Sequence, residues 1–308
     1  GINLEDIAKP KCFEILDRLR KEVDIPVWHD DQQGTATIVT AGAINALKLV
    51  GKPLDESIFC MVGAGAANIA IARVLIAAGV KQKNIIMTDS KGILHSTRSD
   101  LAEQREYNPV KWDMAVNSNG EERTGPIEDA FIGADICIAA SKPGPGTIKK
   151  EWIETMADDP IVFATANPIP EIWPWEAEEA GVSIFATGRS DFANQINNSL
   201  GFPGIFRGTL DVRAETITDE MCIAAATELA NTAEDEGLTK DHIVPTMDSW
   251  EVFPREAVAV GMKAIEQGIA GKKLSRQAVY DHAMEIIKKA RDETKTLMNN
   301  GFIQDPDQ

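Results

Sequence analysis

The chain has 308 residues, which is enough to bury a large core and suggests about two domains. Hydrophobic residues make up 44% and charged residues 26% of it, a balance typical of globular proteins and unlike that of disordered or fibrous chains. The net charge of -17 argues against nucleic acid or an anionic membrane surface as a partner. An anionic substrate would therefore need local positive charge in its cleft.

The cysteines and the apolar stretches indicate a reduced, cytoplasmic protein. The four cysteines are scattered and have no histidine at ligand spacing, so zinc and a disulfide framework are disfavoured. The longest apolar stretch, residues 62–80, is interrupted by Asn68 and Arg73 and is too broken to span a membrane. No signal peptide pattern opens the sequence.

Two pairs of adjacent acids mark the first 31 residues. Glu5-Asp6 follows a short apolar run, and Asp30-Asp31 follows the predicted strand 24–28 after an amphipathic helix at 10–23. Adjacent carboxylates repel, so a hard divalent cation is the expected counter-charge. Either pair alone would be better explained as a solvated acidic turn. His29 is interpreted as a packed neighbour of the acids, because hard metals bound by carboxylates seldom take an imidazole ligand.

A glycine turn follows a helix at 35–50 and an apolar strand at 58–62. Gly63-Ala64-Gly65-Ala66-Ala67-Asn68 opens the helix 69–78, which is the strand, turn and helix context of a dinucleotide site. Asn68 replaces the usual third glycine or alanine, and a tight turn without nucleotide remains the alternative. The strand 84–89 favours the nucleotide, because it ends in Asp89 at the spacing of a ribose contact.

Three more strands are predicted, at 135–140, 161–166 and 182–186. Residues 90–122 look polar and irregular, and 127–131 reads as a short helix. Alternation of strands and helices predicts an α/β protein with a doubly wound parallel sheet, whose ligands lie beyond the carboxyl ends of the strands. Lys142, Asn167 and Arg189 all follow such ends.

The pattern changes after residue 198. Residues 201–204 read as a loop, and helices are predicted at 219–234, 255–267 and 275–298. We expect residues 1–31 to be part of a substrate and metal domain, 32–197 to form a Rossmann-type dinucleotide domain inserted into it, and 198–308 to pack on the first segment. A hinge at these junctions would let domain closure assemble the site.

Several segments resemble the malic enzymes of bacteria and archaea. The match starts with Ile-Asn-Leu-Glu-Asp-Ile at 2–7 and Pro-Val-Trp-His-Asp-Asp-Gln-Gln-Gly-Thr-Ala at 26–36. It continues with Phe-Ala-Thr-Ala-Asn-Pro at 163–168, Ala-Thr-Gly-Arg-Ser-Asp-Phe at 186–192, Asn-Gln-Ile-Asn-Asn at 194–198 and Phe-Pro-Gly-Ile-Phe-Arg-Gly at 202–208. The resemblance covers nearly the whole chain.

The resemblance implies oxidative decarboxylation of L-malate to pyruvate and CO₂, with reduction of NAD⁺ or NADP⁺. It also implies a homodimer. It places a Mg²⁺ or Mn²⁺ ion on Glu5, Asp6 and Asp31, and the adjacent catalytic acid at Asp30. It assigns the cofactor to the glycine turn and to later strand ends: Gly63, Ala64, Gly65, Ala66, Ala67, Asn68, Asp89, Ser90, Lys91 and Asn167. It assigns the substrate to three amides: Asn167, Asn197 and Asn198.

The sequence leaves two questions open: which dinucleotide the chain uses, and whether it carries all the catalytic residues of the family. Asp89 favours NAD, while Ser90 and Lys91 offer a hydroxyl and a cation to a 2′-phosphate, so we expect dual use with a preference for NADP. The family's general-base lysine and acid tyrosine precede Gly1, so the resemblance implies poor activity of this chain by itself. Lys142 reads as a wall of the cofactor crevice. The alternatives are another metal-dependent oxidative decarboxylase, or a non-catalytic dinucleotide-binding fragment; a scaffold role has little support.

Overall fold

The computed structural model describes residues 1–304. Its chain opens with a small two-stranded parallel sheet, in which β1 (Ile2–Leu4) pairs with β2 (Val27–His29) and Leu4 lies opposite His29. Helix α1 (Lys11–Glu22) connects the two strands. This sheet places both acidic pairs at the carboxyl ends of neighbouring strands, because Glu5 and Asp30 directly follow β1 and β2.

A six-stranded sheet forms the centre of the molecule, in the order β5-β4-β3-β6-β7-β8. All its neighbours are parallel except the short edge strand β5, which runs antiparallel to β4. The strands are β3 (Phe59–Val62), β4 (Ile85–Asp89), β5 (Gly92–Ile93), β6 (Ile136–Ala139), β7 (Ile161–Ala164) and β8 (Ile184–Thr187). The order confirms the predicted doubly wound parallel sheet.

Helices cover this sheet on both faces. The helices that follow α1 within the described residues are α2 (Thr35–Leu49), α3 (Ala66–Ala77), α4 (Ser99–Glu103), α5 (Pro109–Asn117), α6 (Lys150–Ile153), α7 (Pro174–Glu179), α8 (Phe202–Asp211), α9 (Asp219–Gly237), α10 (Val252–Glu266) and α11 (Arg276–Asn299). Strand β3 shows the two faces clearly. Phe59 and Met61 join one buried core, while the alternate residues Cys60 and Val62 join the other, so apolar residues occur at every position.

A third core lies among the last helices. The indole of Trp28, from β2, is buried there with Ile205 of α8 and Val260 of α10. Helices α8 and α10 approach closely because Gly208 has no side chain: a Cβ there would lie 2.3 Å from the carbonyl oxygen of Ala257. The opening strands thus rest on the C-terminal helices, while the division of the chain at 32 and 197 stays a prediction.

Two local predictions were wrong, and one local feature was not predicted. Residues 201–204 do not form a loop throughout, because α8 begins at Phe202; Pro203 fits there since the first helical residues need no N–H partner. Residues 90–122 are not irregular, because they contain β5, α4 and α5. The residues after β2 form a π-helical turn, Asp30–Gly34, that the apolar pattern did not indicate.

No helix within residues 1–304 is long and apolar enough to cross a membrane.

Candidate cofactor and substrate site

The glycine turn lies between the end of β3 and the start of α3. Gly63 adopts φ +101°, and a Cβ there would lie 2.8 Å from the carbonyl oxygen of Ala140, so only glycine fits the turn. Gly65 stands directly before the first turn of α3, whose N–H groups have no partner inside the helix. Such a turn offers backbone donors and space to a pyrophosphate.

Asn68 explains how the turn works without the usual third glycine. Its side chain is buried, and its amide nitrogen donates to the carbonyl oxygens of Val62 and Gly63, both at 2.8 Å. The side chain therefore fastens α3 to the end of β3. Its assignment as a direct cofactor contact stays a prediction, and the structure gives it a role in holding the turn.

Asp89, at the end of β4, lies in a cluster of charges. Both carboxylate oxygens of Asp89 accept from the Arg98 guanidinium, at 2.8 and 3.1 Å, and Lys111 Nζ donates to one of them at 2.6 Å. Arg98 also pairs with Asp100 at 2.7 Å, and Lys91 Nζ donates to Asp100 at 2.9 Å. Three cations and two carboxylates leave this cluster with a net positive charge.

This cluster changes what Asp89 can do. Burial would raise the pKa of Asp89, but the hydrogen bonds from Arg98 and Lys111 outweigh burial and hold that pKa below its usual value. The carboxylate is thus ionised and neutralised by its neighbours. It repels a 2′-phosphate less than an unpaired aspartate would.

A buried glutamate connects the loops that follow β6 and β7. One oxygen of Glu171 accepts from Ser141 N at 2.9 Å and from Ser141 Oγ at 3.1 Å, and the other accepts from Ala166 N at 3.1 Å. The side chain is inaccessible to solvent, and burial raises the pKa of Glu171. It fixes one wall of the crevice, since Ser141 borders Gly63 and Ala166 precedes Asn167.

The loops after β7 and β8 meet at Asn167. The side chain of Asn167 is exposed and its nitrogen would lie 2.6 Å from a Cβ on Gly188, so the glycine leaves room for the amide. Arg189 donates to the carbonyl oxygen of Pro168 at 2.6 Å and forms a two-pronged ion pair with Asp191. Asn167 thus lies exposed in the loop after β7, and its assignment to cofactor and substrate stays a prediction.

The π-helical turn holds Asp30 beside a predicted substrate residue. Trp28 Nε1 donates to Asp30 Oδ1 at 3.3 Å, and the amide of Asn198 donates to Asp30 Oδ2. Gly34 permits this arrangement, because a Cβ there would lie 2.3 Å from Asp30 Oδ1 and 3.0 Å from Asn198 Cβ. Burial raises the pKa of Asp30 to about 6, and the charges of Glu5 and Asp31 add to the rise.

Asn197 and Asn198 follow β8 in a short turn that leads into α8. Asn197 accepts from Ser199 N at 3.0 Å, so its side chain caps the turn Asn198–Leu200 and keeps its amide nitrogen available. The structure thus brings Asp30, Asn197 and Asn198 together. The turn that carries Asp30 also packs against α3, the helix that begins at the glycine turn.

The three predicted metal ligands do not all converge in the structure. Asp31 Oδ2 accepts from the backbone N–H of Asp6 at 2.9 Å, which brings those two residues together, while the Glu5 carboxylate accepts from Asn3 Nδ2 at 3.2 Å. Within residues 1–304, no three side chains of the histidine, cysteine, aspartate or glutamate type converge to hold an ion. The oxygen donors suit a hard cation, and Glu5 would have to leave Asn3 to join them.

His29 belongs to the protein interior at this point. Its ring is inaccessible to solvent, and within the described residues neither ring nitrogen has a hydrogen-bond partner. Burial lowers the pKa of His29, although Nδ1 lies 3.8 Å from Asp31 Oδ2. A neutral, packed imidazole agrees with the prediction that His29 is a neighbour of the acids.

Sequence reasoning missed Arg98, Lys111 and Glu171. Arg98 and Lys111 lie nine and 22 residues beyond Asp89, in the segment that was predicted to be irregular. No sequence motif predicts that their side chains pair with the Asp89 carboxylate. Glu171 stands inside Pro-Ile-Pro-Glu-Ile, where proline on both sides of an isoleucine suggests a rigid loop but does not indicate a buried carboxylate.

Together the sheet order, the glycine turn and the crevice beyond the strand ends define a Rossmann-type dinucleotide-binding protein. The family described as "Malic enzyme, NAD binding domain" matches residues 32–265. The chain belongs to the malic enzyme family, and the match supports a nicotinamide dinucleotide as its cofactor.

Individual relatives agree. The chain is 47% identical over 270 residues to the bifunctional malic/malolactic enzyme of Bacillus subtilis, covering 88% of this chain and 64% of the relative. It is 47% identical over 272 residues to the NAD-dependent malic enzyme of Geobacillus stearothermophilus, covering 88% and 55%. The crystal structure of Entamoeba histolytica malic enzyme superposes with a TM-score of 0.95 at 50% identity, covering 99% and 62%. The chain thus spans less than two thirds of these relatives' lengths.

Proposed function

We propose that this chain carries the cofactor and metal parts of an enzyme that oxidises L-malate and decarboxylates it to pyruvate, with reduction of NAD⁺ or NADP⁺. The observation that carries the proposal is the contact between Asp30 and Asn198 beside the glycine turn. It joins a buried carboxylate to a substrate-type amide at the mouth of a dinucleotide crevice. A small polar acid and a dinucleotide would be held next to each other there.

The chain's own groups have separate tasks in this proposal. The turn from Gly63 to Asn68 binds the pyrophosphate, and Asn167 lies at the rim where nicotinamide and substrate meet. Asn197 and Asn198 donate to the substrate carboxylates. Asp30, with its pKa of about 6, can hold or release a proton near neutral pH.

Two groups supply chemistry that side chains lack. A nicotinamide dinucleotide bound in the crevice would supply a hydride acceptor for the C2 carbon of malate. A divalent cation held by Glu5, Asp6 and Asp31 would supply a Lewis acid for the substrate oxygens.

The direct test is malate-dependent reduction of NAD⁺ and NADP⁺ in the presence of Mn²⁺, followed at 340 nm, with pyruvate measured in the same samples. Dinucleotide binding is measured separately by calorimetry. Reduced cofactor and pyruvate should form in equal amounts, at the low rate that the resemblance implies for this chain by itself. Reduced cofactor without pyruvate would contradict the decarboxylation.

The same experiment distinguishes the alternatives. Binding of dinucleotide without turnover would favour the non-catalytic fragment. Turnover of tartrate or of a 3-substituted malate in preference to malate itself would favour another metal-dependent oxidative decarboxylase. We also propose a homodimer, which light scattering of the protein eluting from a size-exclusion column would test. We further propose a cytoplasmic location, which the four free, buried cysteines support.

Cofactor choice gives a further prediction. Lys91 has a side chain that is 64% exposed and reaches the positive cluster around Asp89, so it can turn to a 2′-phosphate. Lys91→Ala should raise the dissociation constant for NADP⁺ roughly 10-fold, because a charge-assisted contact is lost, and should change that for NAD⁺ little. The measurement is calorimetric titration with each cofactor.

Lys81→Ala is the matched control, since it removes the same charge from an exposed lysine whose ion pair is with Asp55. Equal losses for both cofactors, or an equal loss in the control, would show that Lys91 does not read the phosphate.

A further inference from the structure

A lysine from outside the nucleotide unit reaches the glycine turn. Lys9 precedes α1, and its Nζ lies 3.7 Å from the position of a Cβ built on Gly65. Apart from atoms of the adjoining residues, the Nζ is the atom nearest to that position, and the carbonyl oxygen of Ala140 follows at 4.0 Å. Gly65 directly precedes α3, so the ammonium group lies at the start of that helix. Within residues 1–304 Lys9 forms no salt bridge, so its charge is not assigned to a carboxylate of the protein.

The backbone on both sides of Lys9 is fixed. Asp6 has a left-handed conformation, φ +57°, and its N–H donates to Asp31 at 2.9 Å, which turns the chain after β1. Ala8 O accepts from Cys12 N at 3.2 Å, which ties the segment to α1. Ile7 packs against the main core between these two anchors. The reach of Lys9 towards Gly65 therefore follows from an anchored segment.

The surrounding charges make a cation here unusual. Burial raises the pKa of the Cys12 thiol, and Asp31 and Lys9 are both near enough to act on it, Asp31 raising that pKa and Lys9 lowering it. Asp31 is in turn bonded to the backbone N–H of Asp6, the residue after Glu5. Lys9 is thus a local positive charge among acids, in a protein of net charge -17. A pyrophosphate approaching the turn would meet repulsion from those acids unless a cation offset it.

We propose that Lys9 is a phosphate-binding residue of this chain, which adds a charged contact to the backbone donors of the glycine turn and joins the acidic segment to the cofactor. This rests on the proposed dinucleotide function. The contact reads the pyrophosphate that NAD⁺ and NADP⁺ share, so it strengthens binding of both cofactors and does not discriminate between them. Lys91, by contrast, lies at the ribose end of the crevice.

The experiment titrates three probes, adenosine, ADP and NAD⁺, into the wild-type chain and into Lys9→Ala by calorimetry. Removing a charge-assisted hydrogen bond should weaken ADP and NAD⁺ by the same factor, roughly 10-fold, and leave adenosine unchanged. The loss should shrink in 0.5 M salt, because Lys9 is exposed and its charge is screened. Lys9→Arg should retain most of the affinity.

Lys11→Ala is the control, because it removes the same charge from an exposed lysine two residues further along. Thermal unfolding of each variant checks that the fold is kept. Unchanged binding of ADP in Lys9→Ala, an equal loss in Lys11→Ala, or an equal loss of adenosine affinity would each overturn the assignment. Wild-type protein that binds none of the probes would instead overturn the proposed dinucleotide function, and the assignment with it.

Discussion

Replacing Asp31 with asparagine should weaken Mn²⁺ binding by roughly 10- to 100-fold and lower malate turnover at least as much. The change removes one anionic oxygen ligand of the proposed set and keeps the size of the side chain. The fold should survive, since the amide oxygen can still accept from Asp6 N, 2.9 Å from the carboxylate in the wild type. Calorimetric titration with Mn²⁺ measures the effect without any need for turnover.

Two variants sharpen this experiment. Asp24→Asn carries the same charge change at an exposed position before β2 and should leave Mn²⁺ affinity unaltered. His29→Ala should lower the unfolding temperature clearly and change Mn²⁺ affinity little. The ring is fully buried and makes no hydrogen bond among the described residues, so its loss leaves a cavity in the interior. Wild-type Mn²⁺ affinity in Asp31→Asn would remove that residue from the metal site.

Replacing Glu256 with glutamine should stabilise the protein at neutral and higher pH. The Glu256 side chain is inaccessible to solvent, between α10 and the start of α8, and burial raises its pKa well above the usual value. The backbone N–H of Gly204 lowers that pKa in part, while the charge of Glu228 raises it further. Among the described residues, neither carboxylate oxygen has a hydrogen bond of normal geometry.

The pH dependence follows from the raised pKa. Below the unfolded-state pKa the carboxyl group is neutral in both states and costs nothing. As pH rises, the unfolded chain releases the proton while the folded chain retains it, so stability falls until the folded pKa is passed. Glutamine cannot ionise and escapes this loss. The gain should therefore be small near pH 4 and reach about 1–3 kcal/mol near pH 8.

Urea unfolding at several pH values measures this gain. Glu251→Gln is the matched control, because that glutamate is exposed at the start of α10 and its replacement should alter stability little at any pH. A gain that is independent of pH, or a loss at pH 8, would contradict the assignment of a raised pKa to Glu256.

The central sheet could be predicted from the sequence because its strands are buried on both faces. Residues 58–62, 135–140 and 161–166 are short apolar runs bounded by turn residues, and each contains a strand of the structure. The glycine turn could be predicted equally well, since it needs a positive φ at Gly63 that residues with a side chain rarely adopt. The family resemblance, carried by whole motifs, was confirmed by the comparisons.

Pairings between distant residues could not be predicted in this way. Asp89 looked like a free ribose contact, because nothing near it in the sequence showed that Arg98 and Lys111 fold back onto its carboxylate. The start of α8 was not predicted, because proline and glycine, here Pro203 and Gly204, are residue types typical of loops. The predicted roles of the site residues, including the metal ligands, stay predictions.

The contact between Asp30 and Asn198 has a consequence for the order of folding. It joins residues 168 positions apart, and all six strands of the central sheet lie between them. Closing so long a segment costs chain entropy that a single polar contact cannot offset. The sheet must therefore form first, and the site is completed last, as its two halves are brought together by an already folded body. A refolding chain should recover its secondary structure before the contact between Asp30 and Asn198 forms.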